Sequence, residues 1–219
     1  MSIQVNQKLD NYYRELIMEL IEFTKNTIIG KYIEDNVVYV SDLAKCMYYV
    51  YLSMREKKSD YTNLLIGQFG HLIIEKALKH YLPKSDVEIK VEYEVEHEIN
   101  GVVVRGKIDV LIIDYDKLNS VPIEVKFTKY KKVNLWYETQ LQLYMWLIGA
   151  KFGYLIYINP QDLDYTVFTI TYDEQKVRSR LRKVKDLLMV YKGVEPSREY
   201  FGCEVCPFKT KCFNLGLFL

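Results

Sequence analysis

The sequence predicts an α/β domain built around one mixed sheet. Three observations carry this expectation. Apolar residues recur at helical spacing over 7–33, 63–81, 134–149 and 173–191. They alternate with polar residues over 87–98, and Asn100-Gly101 follows as a hairpin turn signal. The order is then helices, a strand hairpin, a strand, a helix, two strands and a helix, which suits helices packed on a sheet.

The elements follow in order. Leu9, Tyr13, Leu16, Ile17, Leu20 and Ile21 share one face of a first helix over 7–33. Ser41-Asp42 reads as the N-cap of a helix running through Cys46 to Met54. A third helix over 63–81 stops at Pro83, which cannot continue it. Val87, Ile89, Val91, Tyr93 and Val95 give one strand, and residues 102–113 return beside it. Residues 120–127, 153–158 and 165–171 read as further strands. The helix over 134–149 ends at Gly149, and the Lys/Arg-rich helix over 173–191 leads to a cysteine-bearing loop from Gly202.

With 219 residues, 49% of them hydrophobic, the chain can bury a sizeable core. A net charge of +1 excludes a globally basic nucleic-acid binder and confines phosphate contacts to local patches. No signal peptide is read in 1–10, and apolar runs such as 141–150 are too short to span a bilayer. A cytoplasmic protein with no membrane contact is expected. In that reducing compartment four cysteines point to ligation or burial rather than disulfides.

The main chemical signal is Gly106-Lys107-Ile108-Asp109 followed by Pro122-Ile123-Glu124-Val125-Lys126. Asp109 and Glu124 sit inside apolar strands, where a charge is costly unless paired or metal-bound. Glu124 and Lys126 share a face, two residues apart on a strand. On neighbouring strands Asp109, Glu124 and Lys126 converge. Two carboxylates suit Mg²⁺ or Mn²⁺, and the lysine can orient water or steady developing negative charge. The plainer alternative is a surface Glu124–Lys126 ion pair. His71, in Gly67-Gln68-Phe69-Gly70-His71, is a further candidate ligand beside its alternative as a histidine capped by backbone. Gln140 and Tyr144 lie four apart on one helix face, placed either to support the site or simply to pack.

Cys203, Cys206 and Cys212 form C-x2-C-x5-C, and Cys46 lies far upstream. Four thiolates select zinc or an iron–sulfur cluster, and the spacing departs from two C-x2-C pairs.

Taken in order, Ser41-Asp42-Leu43 with Cys46, Gly67 with His71, Gly106 with Asp109, Glu124 with Lys126, Gln140 with Tyr144, and the three-cysteine tail resemble the CRISPR-associated RecB-like exonucleases, a branch of the PD-(D/E)XK nucleases. The resemblance covers about residues 38 to 213. It implies a restriction-endonuclease-like core with an iron–sulfur lobe. Residues 1–219 then form a single nuclease domain, with 61–194 as the core and 1–60 plus 195–219 as the lobe. It implies metal ligation by His71, Asp109, Glu124 and the Val125 carbonyl, with Lys126 as catalytic lysine, aided by Gln140 and Tyr144. Cys46, Cys203, Cys206 and Cys212 would hold a cluster, 4Fe–4S rather than 2Fe–2S. The activity implied is DNA cleavage, often 5′→3′ on single strands with some endonuclease action, in CRISPR adaptation beside the integrase complex. A homo-oligomer is left open.

Lys129, Lys131 and Lys132 follow the catalytic strand with Phe127 and Tyr130 interleaved, a pattern that suits backbone contact with base stacking. Lys176, Arg178, Arg180, Arg182, Lys183 and Lys185 offer a second basic surface, or else a solvated helix face. Three alternatives stand beside the nuclease: a non-cleaving DNA-end selection module for the integrase, a viral or plasmid nuclease outside CRISPR loci, and a zinc-stapled nucleic-acid binder.

Overall fold

The computed structural model describes residues 33–56, 62–79 and 86–214, together with Glu15, Met18 and Glu19. The chain divides into two compact units, Met1–Ile33 and Glu34–Leu219. In the first unit Glu15, Met18 and Glu19 are helical, and the rest of the helix expected from residue 7 onward lies outside the described residues.

The second unit holds β1 (Val37–Tyr39), α1 (Val40–Leu43), α2 (Met47–Arg55), α3 (Thr62–Lys79), β2 (Val87–Ile99), β3 (Val102–Asp114), β4 (Asn119–Phe127), α4 (Leu135–Ile148), β5 (Phe152–Ile158), β6 (Tyr165–Thr171), α5 (Glu174–Leu181), α6 (Val184–Tyr191) and α7 (Lys209–Asn214). Three differences from the sequence reading have local causes. The expected Ser41–Met54 helix is two helices, because Cys46 is extended at ψ 131° and caps α2. The helix over 173–191 breaks at Arg182 and Lys183 into α5 and α6. Strand β1 has only three residues, too few to alternate visibly.

The six-stranded sheet is mixed, in the order β1-β3-β4-β5-β6, with β2 on the other edge of β3. Hairpin β2–β3 turns at Asn100 (φ 51°) and Gly101 (φ 79°), as the Asn-Gly signal requires. Strand β2 pairs with β3 along nearly its whole length. The opposite edge of β3 is shared: β1 lies parallel to Val103–Arg105, and β4 lies antiparallel to Val110–Asp114. Residues 106–109 fall in the notch between those two partners. The main core lies under this part of the sheet, where Val104, Ile108, Leu43, Met47, Leu143, Val177 and Leu187 are buried together. Helix α4 starts at Asn134, whose side chain accepts the Trp136 amide, and its polar Gln142 ties Thr171 and Asp173 to the helix. Among the described residues no helix is long and apolar enough to cross a membrane.

Candidate functional site

The notch in β3 exposes backbone groups that a neighbouring strand would otherwise satisfy. Side chains take them instead. The Val125 amide donates to Asp109 Oδ2 at 2.7 Å, and the Tyr144 hydroxyl donates to the Lys107 carbonyl at 2.8 Å. Gln140 Nε2 in turn donates to the Tyr144 oxygen at 3.3 Å. Gln140 and Tyr144 therefore support the site from α4, and both line a cavity of about 340 Å³ that also reaches Asp109.

Register brings the acidic residues into one row. Asp109 follows the Val110↔Ile123 pair and so stands opposite Glu124 on β4. On the other side it stands opposite Glu92 of β2, between the Val91↔Val110 and Tyr93↔Ile108 pairs. Opposed residues of antiparallel strands share a face. Glu124 is fully buried, and neither carboxylate oxygen accepts a hydrogen bond, although one meets the Lys126 ammonium as an ion pair. Burial, then the Asp109 charge, push its carboxyl up to about 7. Burial acts against the Lys126 ammonium, but the Glu124 and Asp109 charges prevail and raise it well above the usual lysine value.

His71 reaches the row from the middle of α3, not from a helix start. Its Nδ1 lies 3.2 Å from Asp109 Oδ1 and 3.7 Å from Glu92 Oε1. Burial depresses the imidazole, but the contacts with Asp109 and Glu92 outweigh it and raise the pKa to about 9. Gly70 is what brings α3 this close. A Cβ there would overlap the Phe127 ring, whereas one at Gly67 would meet nothing. The working glycine of the motif is Gly70.

Glu92 was not expected from the sequence. It is one of five acidic residues in β2, with Glu88, Glu94, Glu96 and Glu98, and the pattern does not single it out. Its backbone does, with φ 50° inside a 13-residue strand. Glu92 Oε2 also pairs with Lys107 Nζ at 3.0 Å. His71, Glu92 and Asp109 place one ligand atom each within 4.8 Å of one another. Hard oxygens and one imidazole are donors that a divalent ion accepts, and the orphaned Glu124 oxygens are donors in want of one.

The four cysteines line one pocket with Tyr48, Tyr49, Leu52, Phe201 and Phe208. All four are free of disulfides. Burial pushes the Cys46 and Cys206 thiols up, so thiolates there need a cationic centre. Two features dock the tail. Trp136 Nε1 donates to the Phe201 carbonyl at 3.2 Å, and Gly202, at φ 70°, sits where a Cβ would overlap the indole.

Lys129, Lys131 and Lys132 are exposed on the loop after β4, with Tyr130 exposed beside them. Of the second basic surface, Lys176, Arg178, Arg182 and Lys185 are exposed, and Arg180 is not. Arg180 is 3% exposed and donates to the Leu43 and Lys45 carbonyls. Lys176 pairs with Glu138, Arg178 with Glu174, and Lys183 with Glu199. Arg180 falls at helical spacing between Val177 and Val184, which was the available sign of its burial.

A sequence family described as the PD-(D/E)XK nuclease superfamily matches residues 48–213. The CRISPR-associated exonuclease Cas4 of Saccharolobus solfataricus is 28% identical over 188 residues, covering 82% of this chain and 88% of that protein. The crystal structure of SSO0001 superposes with a TM-score of 0.59 at 25% identity, over 88% of this chain and 96% of that one. The family match spans most of the chain and takes in the whole row of carboxylates with its lysine, so this protein belongs to the PD-(D/E)XK nuclease superfamily.

Proposed function

We propose that the chain is a Mg²⁺- or Mn²⁺-dependent DNA exonuclease. The observation that carries this reading is Glu124, a carboxylate fully buried opposite Asp109, with Lys126 against Oε1 and no partner for Oε2. Asp109, Glu124, His71 and the Val125 carbonyl are the residues to hold the ion. When bound, it supplies polarisation of the scissile phosphate and acidification of a water ligand. Lys126 places a fixed positive charge where negative charge develops on the phosphate. Tyr144 and Gln140 keep the Asp109 segment of β3 in place. Lys129, Lys131 and Lys132 hold the DNA backbone beside the site.

The likeness to a CRISPR-associated exonuclease supports exonuclease action, and the reading extends it to single strands, 5′→3′ with some endonuclease action. The same likeness supports a CRISPR-associated role, and we place it in the cytoplasm, in adaptation, next to the integrase. The cysteine pocket fits an iron–sulfur cluster of the 4Fe–4S type, because four free thiols meet in apolar surroundings. Of the expected lobe of 1–60 and 195–219, residues 34–60 and 195–219 would then lie around that cluster, with 61–194 the core, while Met1–Ile33 form the separate first unit.

The test is cleavage of end-labelled single-stranded DNA with Mn²⁺ by protein purified without oxygen. Wild type cuts, while Asp109→Ala and Lys126→Ala lose about 10²-fold or more. Equal activity in all three, or none in any, would return the chain to the DNA-end selection reading.

A further inference from the structure

Strands β2 and β6 stand at opposite edges of the sheet. An open edge is a row of unpaired N–H and C=O groups, and proteins commonly guard it with charge. Strand β2 is guarded in this way by Glu88, Lys90, Glu94, Glu96 and Glu98. Strand β6 is not: from Tyr165 to Thr171 it carries no charge, no proline and no glycine. Among the described residues it pairs with β5 alone. Tyr165 is 69% exposed and Val167 47%, with Leu163 at 70% just ahead of them.

The ladder with β5 fixes which backbone groups are open. The Asn159 amide donates to the Asp164 carbonyl, and the Tyr172 amide donates to the Lys151 carbonyl. Counted inward from both ends, the hydrogen-bonded pairs are Tyr157↔Thr166, Leu155↔Phe168 and Gly153↔Ile170. The residues between them turn N–H and C=O away from β5. These are Tyr165, Val167, Thr169 and Thr171, and the Thr171 carbonyl is already taken by Gln142.

We propose that β6 is a dimerisation edge, paired antiparallel with β6 of a second copy about a two-fold axis at Val167. Val167 then faces Val167 of the second copy, and Tyr165 faces its Thr169. The outward N–H and C=O of all three residues find partners, and the sheet continues from one copy into the other. A second copy fits better than other occupants. The strand has no cation to meet a phosphate and no charge with which to select a foreign peptide. The exposed turn that carries Asp162 and Asp164 falls at opposite ends of the antiparallel pair, so the two acidic turns do not meet.

Sedimentation equilibrium of the full chain, up to about 100 μM, tests the edge. Wild type is expected to form dimers as concentration rises. Val167→Lys and Val167→Glu each set like charges across the axis and weaken the dimer by about tenfold or more, whereas an equal mixture of the two variants restores it. Val167→Pro removes an N–H that points away from β5, so the chain keeps its melting temperature and loses the dimer. A wild type that stays monomeric throughout overturns the proposal and leaves the edge to a strand of another protein. Dimers that persist in the single variants, or Lys and Glu variants that fail to pair when mixed, overturn it as well.

Discussion

Glu124 and His71 both bind a proton more tightly in the folded state than in the unfolded chain. Burial and the Asp109 charge raise the Glu124 carboxyl from 4.5 to about 7. Its contribution to stability is complete below pH 4.5 and lost as pH rises through 7. For His71, burial lowers the value, but the carboxylate contacts lift it from 6.5 to about 9. Its contribution is complete below 6.5 and lost as pH passes 9. The metal-free protein is therefore expected to melt at a lower temperature at about pH 9 than at about pH 6. Mn²⁺ should raise the Tm more at the higher pH, because protons no longer compete for the same atoms. Thermal melts with and without Mn²⁺ across this range check it, and a metal-free Tm that climbed with pH would contradict it. At this scale Asp109, Glu124 and Lys126 were readable in the sequence, because a charge inside an alternating apolar strand is conspicuous. Glu92 was not, since its neighbours at period two are also charged and only its φ and register set it apart.

The elements are joined to the site by a few close approaches. Gly70→Ala drives a methyl into the Phe127 ring and lifts α3, and His71 with it, off β4. A loss of about 1–3 kcal/mol is expected in denaturant unfolding, with weaker Mn²⁺ binding. Arg180 clamps α5 to the turn after α1, with its guanidinium over the Phe201 ring at 4.3 Å and Glu199 as its counter-ion. Glu199 also accepts the Met47 amide at 2.9 Å. Arg180→Met takes the donor from the Leu43 and Lys45 carbonyls and leaves Glu199 to Lys183 and the Met47 amide, and about 1–3 kcal/mol of destabilisation is expected from urea unfolding. A surface arginine would cost almost nothing, so a loss below about 0.5 kcal/mol would refute the clamp. The long elements were legible because their periods run for several turns or residues. Strand β1 and the break at Cys46 were not, because three or four residues cannot display a period.

For the whole molecule, charge is local rather than global. Lys129, Lys131 and Lys132 changed together to Glu should weaken single-stranded DNA binding. The same change should flatten its salt dependence, by about 0.7 in slope for each phosphate that is no longer neutralised. A slope equal to that of wild type would remove this loop from the DNA path. The sheet class and its helices were predictable from the order of segments. The notch that organises the site was not, because it arises from two strands, β1 and β4, sharing one edge of β3.

The cysteine pocket also dictates a sequence of events during synthesis. Cys46 leaves the ribosome 157 residues (203 − 46) before Cys203, and nearly the entire sheet is made in between. At about 5–20 residues per second that is a wait of roughly 8–30 s. Throughout it Cys46 is a lone thiol with no partners to chelate with. The proposed centre on the four sulfurs would therefore reach a chain whose sheet is already translated, and its arrival would mark a finished molecule rather than a nascent one.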